Sequence, residues 1–167
     1  MNYYEFYNFP IKFYIDEDLL KKQFYQYSKD FHPDFHALKS EEEQQKMLEL
    51  STLNNKAFFV LKSLNTRLEY LLKIKNILVD DEKYSLPPEF LMEMMELNEA
   101  WMDAESPEAK QVILDQINTL QIDIYSPIKA YLEASSVESI SPEAMLQIKE
   151  YYYKKKYLDR ILAEFHH

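Results

Sequence analysis

Residues 17–34 read EDLLKKQFYQYSKDFHPD, and this stretch decides the fold. At about 100° per residue, Leu20, Phe24, Tyr27 and Phe31 share one stripe, while Lys22 and Lys29 lie almost opposite, flanked by Tyr25 and more loosely by Lys21. One face is built for a core and the other is basic. Asp16 has the chemistry of an N-cap for this helix, which is expected to run to about Phe31. Pro33 stops it there, because proline has no N–H to donate and holds the residue before it extended. The tripeptide His32-Pro33-Asp34 thus ends a lysine-bearing amphipathic helix.

Working outward, the periodicity stays helical and prolines and caps supply the punctuation. Ser40 and Glu43 form a capping box for a helix through about Leu61, and a shorter helix follows around Thr66 to Lys75. With an aromatic turn from Tyr3 to Phe9, ended by Pro10, they make a four-helix unit over residues 1–76. Residues 77–86 are polar and aperiodic and read as a linker. Pro87-Pro88 restarts the chain, and Ser106-Pro107 and Ser141-Pro142 pair a capping serine with proline in the first helical position. Residues 87–167 therefore read as a three-helix bundle, with a break expected at Pro127 and a turn at Ala134-Ser135-Ser136. The fold class is all-α.

Composition excludes several chemistries. The 167 residues include no cysteine, which removes disulfides, thiolate nucleophiles and cysteine-held metals. They include no glycine either, so phosphate-binding loops, dinucleotide fingerprints and nucleophile elbows cannot take their usual form. A formal net charge of −10 disfavours nucleic acid and suits a protein partner with a basic surface. The first residues lack the pattern of a signal peptide and no apolar run spans a bilayer, so a cytoplasmic protein without a membrane partner is expected. His32, Asp34 and His36 resemble a catalytic or metal cluster. Pro33 argues against His32 and His36 sharing a helix face, and neither a nucleophile nor a third ligand is evident. The expectation is no enzyme, no metal and no cofactor.

The helix after Pro87-Pro88 carries two apolar stripes. Phe90, Met94, Leu97 and Trp101 make one, sufficient to bury the helix in a small bundle. Leu91, Met92, Met95 and Met102 lie on the other side among Glu96, Glu99 and Asp103. Either the helix is sandwiched between two neighbours, or the second stripe is an adaptable exposed patch rimmed by carboxylates. Tyr151-Tyr152-Tyr153 cannot share one face, so one or two of them should pack. Lys154-Lys155-Lys156 reads as a solvated face or as partners for nearby acids, and His166 and His167 as a chain end or affinity-tag remnant.

These residues resemble a J domain. Beyond His32-Pro33-Asp34, the segments Asn55-Lys56-Ala57-Phe58 and Arg67-Leu68-Glu69-Tyr70-Leu71-Leu72 are similar to that family's later helices. The opening Tyr3-Tyr4-Glu5-Phe6-Tyr7-Asn8-Phe9-Pro10, the run Glu89 to Leu97 and the terminal Tyr157-Leu158-Asp159-Arg160 resemble the HscB family, J-type co-chaperones of iron–sulfur cluster assembly. The resemblance implies docking on an HscA- or DnaK-type ATPase through Lys22, Lys29, His32, Pro33 and Asp34. It implies binding of an IscU-type scaffold protein through Leu91, Met92, Met95, Glu96, Glu99, Asp103 and Tyr157. A general J protein with another client is the alternative. Asn8 stands where the family usually has glycine, Leu64 where a proline is frequent, Gln23 where arginine is usual on the basic helix, and Tyr157 in place of phenylalanine.

Overall fold

A computed structural model describes residues 1–166; His167, half of the terminal histidine pair, lies outside the described residues. Among the described residues there are helices and no strands. The chain forms two compact units, Met1–Ile74 with Glu133–Ser139, and Lys75–Leu132 with the described residues from Ile140 onward.

In the first unit, α1 (Tyr3–Phe6) is a single turn closed by an Asn2–Glu5 capping box. Helix α2 (Glu17–Asp30) begins at Asp16, whose carboxylate accepts the Leu19 N–H, and Pro33 opens a short 3-10 turn through His36. Ser40 and Glu43 cap α3 (Glu41–Leu61) reciprocally, and α4 (Leu64–Ile74) follows. Each boundary lies close to where cap chemistry and proline put it.

Two devices hold α2 against α3. The Phe24 and Phe58 rings stack with centroids 4.0 Å apart. Asn54, buried in α3, donates through Nδ2 to the Phe24 carbonyl and to Ser28 Oγ, both at 3.1 Å. Its Oδ1 accepts the Tyr7 hydroxyl at 2.6 Å, which brings the N-terminal turn onto the same pair of helices. Burial raises the Tyr7 phenol above its ordinary value and keeps it a donor. Phe6, Tyr7, Tyr27 and Phe31 complete an aromatic cluster, so the predicted stripe of α2 does face inward.

Arg67 is the least expected member of this core. Its side chain is 2% exposed, yet it is bonded within the protein: Nε to the Phe13 carbonyl at 2.9 Å, and Nη1 to the Leu61 carbonyl at 2.7 Å and Glu17 Oε1 at 3.0 Å. One side chain thereby joins the segment before α2, the first turn of α2 and the last turn of α3. Residues 133–139 add to this unit from far along the chain, with buried Val137 donating its N–H to the Ile11 carbonyl at 3.0 Å.

The second unit comprises α5 (Pro88–Asp103), α6 (Pro107–Tyr125), the short α7 (Lys129–Leu132) and α8 (Pro142–Phe165). Ser106 and Ser141 cap α6 and α8 as the sequence indicates, and α6 stops two residues before Pro127. Phe90, Met94 and Leu97 of α5 pack with Ile113 and Ile117 of α6 and with Leu158, Ile161 and Phe165 of α8. Trp101 stacks on Phe165 at 4.3 Å.

Residues 77–86, expected as a linker, are strapped to α8. Leu78 is buried, Lys149 Nζ donates to the Ile77 carbonyl at 2.8 Å and to Glu82 at 2.9 Å, and the Tyr153 hydroxyl donates to Glu82 at 2.8 Å. The Tyr84 ring stacks on Tyr153 at 4.2 Å. Aperiodic polarity marks this stretch as non-helical, but it does not reveal that its polar groups have partners seventy residues away. Of the three consecutive tyrosines, Tyr151 and Tyr152 are buried and Tyr153 holds the strap. Lys154 and Lys155 pair with Glu150 and Asp159 on their own helix.

Two predictions follow from these polar locks. Replacing Arg67 with Met leaves the Phe13 and Leu61 carbonyls without their donor inside the core, and should cost the first unit about 3 kcal/mol in urea unfolding. The lysine and tyrosine hydrogen bonds hold the Glu82 carboxyl below the usual glutamate range. A depressed carboxyl contributes its stability above its unfolded value and loses it as pH falls through the folded one. Protection factors of the amides in residues 77–84 should therefore fall on acidification into and below the usual glutamate range, and a Glu82→Gln chain should lack that step.

Candidate functional site

The two sets of sequence-predicted residues fall on separate units. In the first, His32 caps the 3-10 turn: its Nδ1 accepts the Asp34 N–H at 3.2 Å. The same atom is 3.7 Å from Asp34 Oδ2. Because Nδ1 is already accepting, that approach is no ion pair in the neutral ring, and the proton sits on Nε2. The tripeptide thus offers an N–H donor from His32 and a carboxylate acceptor from Asp34, held in register by the fixed φ of Pro33. His32 is 53% exposed and Asp34 87% exposed.

His36 takes a different path from its neighbour. Its ring is buried, and Nε2 lies 2.6 Å from the Asp30 carbonyl at the end of α2. It ties the loop to the helix that precedes it, and it does not join His32 as a ligand pair. Lys21, Lys22, Tyr25 and Lys29 are exposed on α2, and Lys22 and Lys29 have no ion pair among the described residues. The loop follows the end of this helix directly in sequence.

Sequence reasoning missed the apolar side chains beside this loop. Phe35 and Leu38 are exposed, and the Phe35 ring meets the His32 ring edge-on at 6.2 Å. The available signal was two large hydrophobic residues in a turn without periodicity, where polar residues are the rule.

In the second unit, α5 keeps both stripes apart. Phe90, Met94 and Leu97 are buried, while Leu91 is 36%, Met92 61%, Met95 61% and Met102 81% exposed. The sandwiched arrangement is thereby ruled out within this unit. Glu96, Glu99 and Asp103 are exposed around the stripe. Tyr157 is half-buried, its ring edge-on to Phe90 at 6.0 Å and covered by the Arg160 guanidinium at 4.7 Å. Arg160 closes the terminal motif quoted above but is not among the residues expected in the site, though its position three residues after Tyr157 puts the two on one helix face. The result is an apolar strip with an acidic border and one cation–aromatic corner.

No described helix is long and apolar enough to cross a membrane. Residues 86–166 match the family described as HSCB C-terminal oligomerisation domain. The chain is 35% identical over 140 residues to a co-chaperone protein HscB homolog of Vibrio cholerae, covering 81% of this chain and 82% of the relative. It is 31% identical over 166 residues to the Vibrio atlanticus counterpart, covering 98% and 94%. Among solved structures, chaperone HscB from Vibrio cholerae superposes with a TM-score of 0.66 at 30% identity over 99% of both chains. Human co-chaperone protein HscB gives 0.80 at 26% identity over 99% of this chain and 80% of that one. Similarity over both units, joined to the exposed tripeptide of the first and the unburied stripe of the second, makes this chain a member of the HscB family of co-chaperones.

Proposed function

We propose that this chain stimulates ATP hydrolysis by an HscA- or DnaK-type chaperone and delivers an IscU-type scaffold protein to it during iron–sulfur cluster assembly. The observation that carries this reading is the exposure of Leu91, Met92 and Met95 on a helix whose opposite face already fills its core. An apolar strip of that kind, on the unit that does not hold the His32 loop, gives the molecule a second surface of unlike chemistry.

Each surface acts by recognition. Lys22 and Lys29 steer the basic helix towards an acidic chaperone face, and the loop then sets His32 Nε2–H and the Asp34 carboxylate against complementary groups. Phe35 and Leu38 add apolar area beside these polar contacts. The bond cleaved in ATP belongs to the partner's active site, and the chain contributes the geometry that favours the hydrolysing state. On α5, the methionines adapt to an apolar centre while Glu96, Glu99 and Asp103 attract a basic rim. Tyr157 supplies a rigid aromatic edge to the same surface.

A His32→Gln chain should keep its helical circular dichroism and lose at least about tenfold in stimulated ATPase rate, since the tripeptide lies outside the core. Undiminished stimulation would take the loop out of the docking surface. The double change Met92→Ser with Met95→Ser should weaken scaffold binding by about tenfold in calorimetry while the thermal midpoint stays put, because both side chains already face solvent. Equal affinity for the two chains would move the scaffold site elsewhere.

A further inference from the structure

Helices α5 and α6 leave between them an open groove of about 640 Å³ on the flank of α5 that faces α6. Leu97 and Val112 line its apolar part, and Val112 is 57% exposed. Glu93 and Glu96 border it from α5, Asp115 and Asp123 from α6. No ion pair neutralises any of the four among the described residues; the Asp115 carboxylate accepts one neutral hydrogen bond, from Gln111 at 2.9 Å. No lysine or arginine lines the groove. Of its lining, only Glu96 belongs to the surface assigned above to the scaffold.

We propose that this groove docks a basic amphipathic helix of a protein partner, one that lays an apolar ridge along Leu97 and Val112 and sets Lys or Arg side chains against the carboxylates on either wall. The dimensions suit that occupant. From Val112 to Asp123 the α6 wall is about 16 Å long at 1.5 Å per residue, the length of about three helical turns. Two adjacent helices with an apolar floor present the usual seat for a third. Uncompensated like charges along both walls repel one another, and a cationic ridge removes that repulsion as it binds.

A second copy of this chain fits the charge requirement poorly. The whole sequence carries a formal −10, so copies repel. The lysine run of α8 is also engaged internally, Lys154 and Lys155 with Glu150 and Asp159, and Lys156 over the Tyr152 ring at 5.8 Å.

The test is calorimetric titration of the full chain with a synthetic helical peptide of about 14 residues that bears Lys at every third or fourth position and Leu on the same face. Its counterpart with Glu in place of Lys serves as the second probe. The basic peptide should bind and the acidic one should not. Asp115→Lys with Asp123→Lys should weaken the basic peptide at least about tenfold, whereas the same charge change placed on other exposed surface, Glu49→Lys with Glu164→Lys, should weaken it no more than about twofold. Equal losses in the two double variants would reduce the effect to net charge and overturn the proposal, as would absence of binding to the unaltered chain. Sedimentation velocity run alongside identifies self-association, and a dimer dispersed by the groove variant would replace the partner helix with a second copy. Met92→Ser with Met95→Ser should leave peptide affinity unchanged, which separates this groove from the scaffold surface.

Discussion

A guanidinium that cannot reach bulk water has to be bonded within the protein, and in the first unit that requirement organises everything around it. Arg67 meets it with two main-chain carbonyls and one carboxylate, drawn from the segment before α2, the end of α3 and the start of α2. A buried ion is costly unless it is paired and hydrogen-bonded, so these bonds fix the three elements against one another. The hairpin of α2 and α3 inherits its geometry from this lock and from Asn54. The turn from His32 to His36 inherits its own from the hairpin, through the bond between His36 and the Asp30 carbonyl.

The local features were readable in the chain because their causes are local. Asp16, Ser40, Ser106 and Ser141 each bond to an N–H three residues on, and those distances are built into the sequence. The stripes of α2 and α5 were equally legible, since periodicity alone defines them. Periodicity does not say what covers a stripe, and that is why the second face of α5 stayed open between core and surface until its neighbours were known. The strap of residues 77–84 on α8 and the return of Val137 to the first unit escaped for a related reason: both depend on partners separated by more than sixty residues. Arg67 was visible as part of a resemblance. Its burial was not, because arginine is ordinarily a surface residue.

Glycine's absence acquires a structural meaning beyond the ligand sites it excludes. Asn8, Asn76 and Asp81 have φ values of 59°, 58° and 61°, the left-handed region that glycine enters most easily. Asparagine and aspartate tolerate it because their short polar side chains bond locally, and the chain uses them at each positive-φ position among the described residues. Asn8 thus makes the turn after α1 in the left-handed region without a glycine.

Trp101 is the one tryptophan in the sequence, and it lies on α5 with its indole parallel to the Phe165 ring and the Lys110 ammonium 5.0 Å from its centroid. The first unit has tyrosines in abundance but no indole. Excitation at the red edge of the absorption band therefore reports on the second unit alone, while excitation in the tyrosine band sums over both. Intrinsic emission can consequently follow the melting of either half of an unlabelled chain, and the indole, four positions from the core residue Leu97 and one from the exposed Met102, is placed to register events on α5 itself.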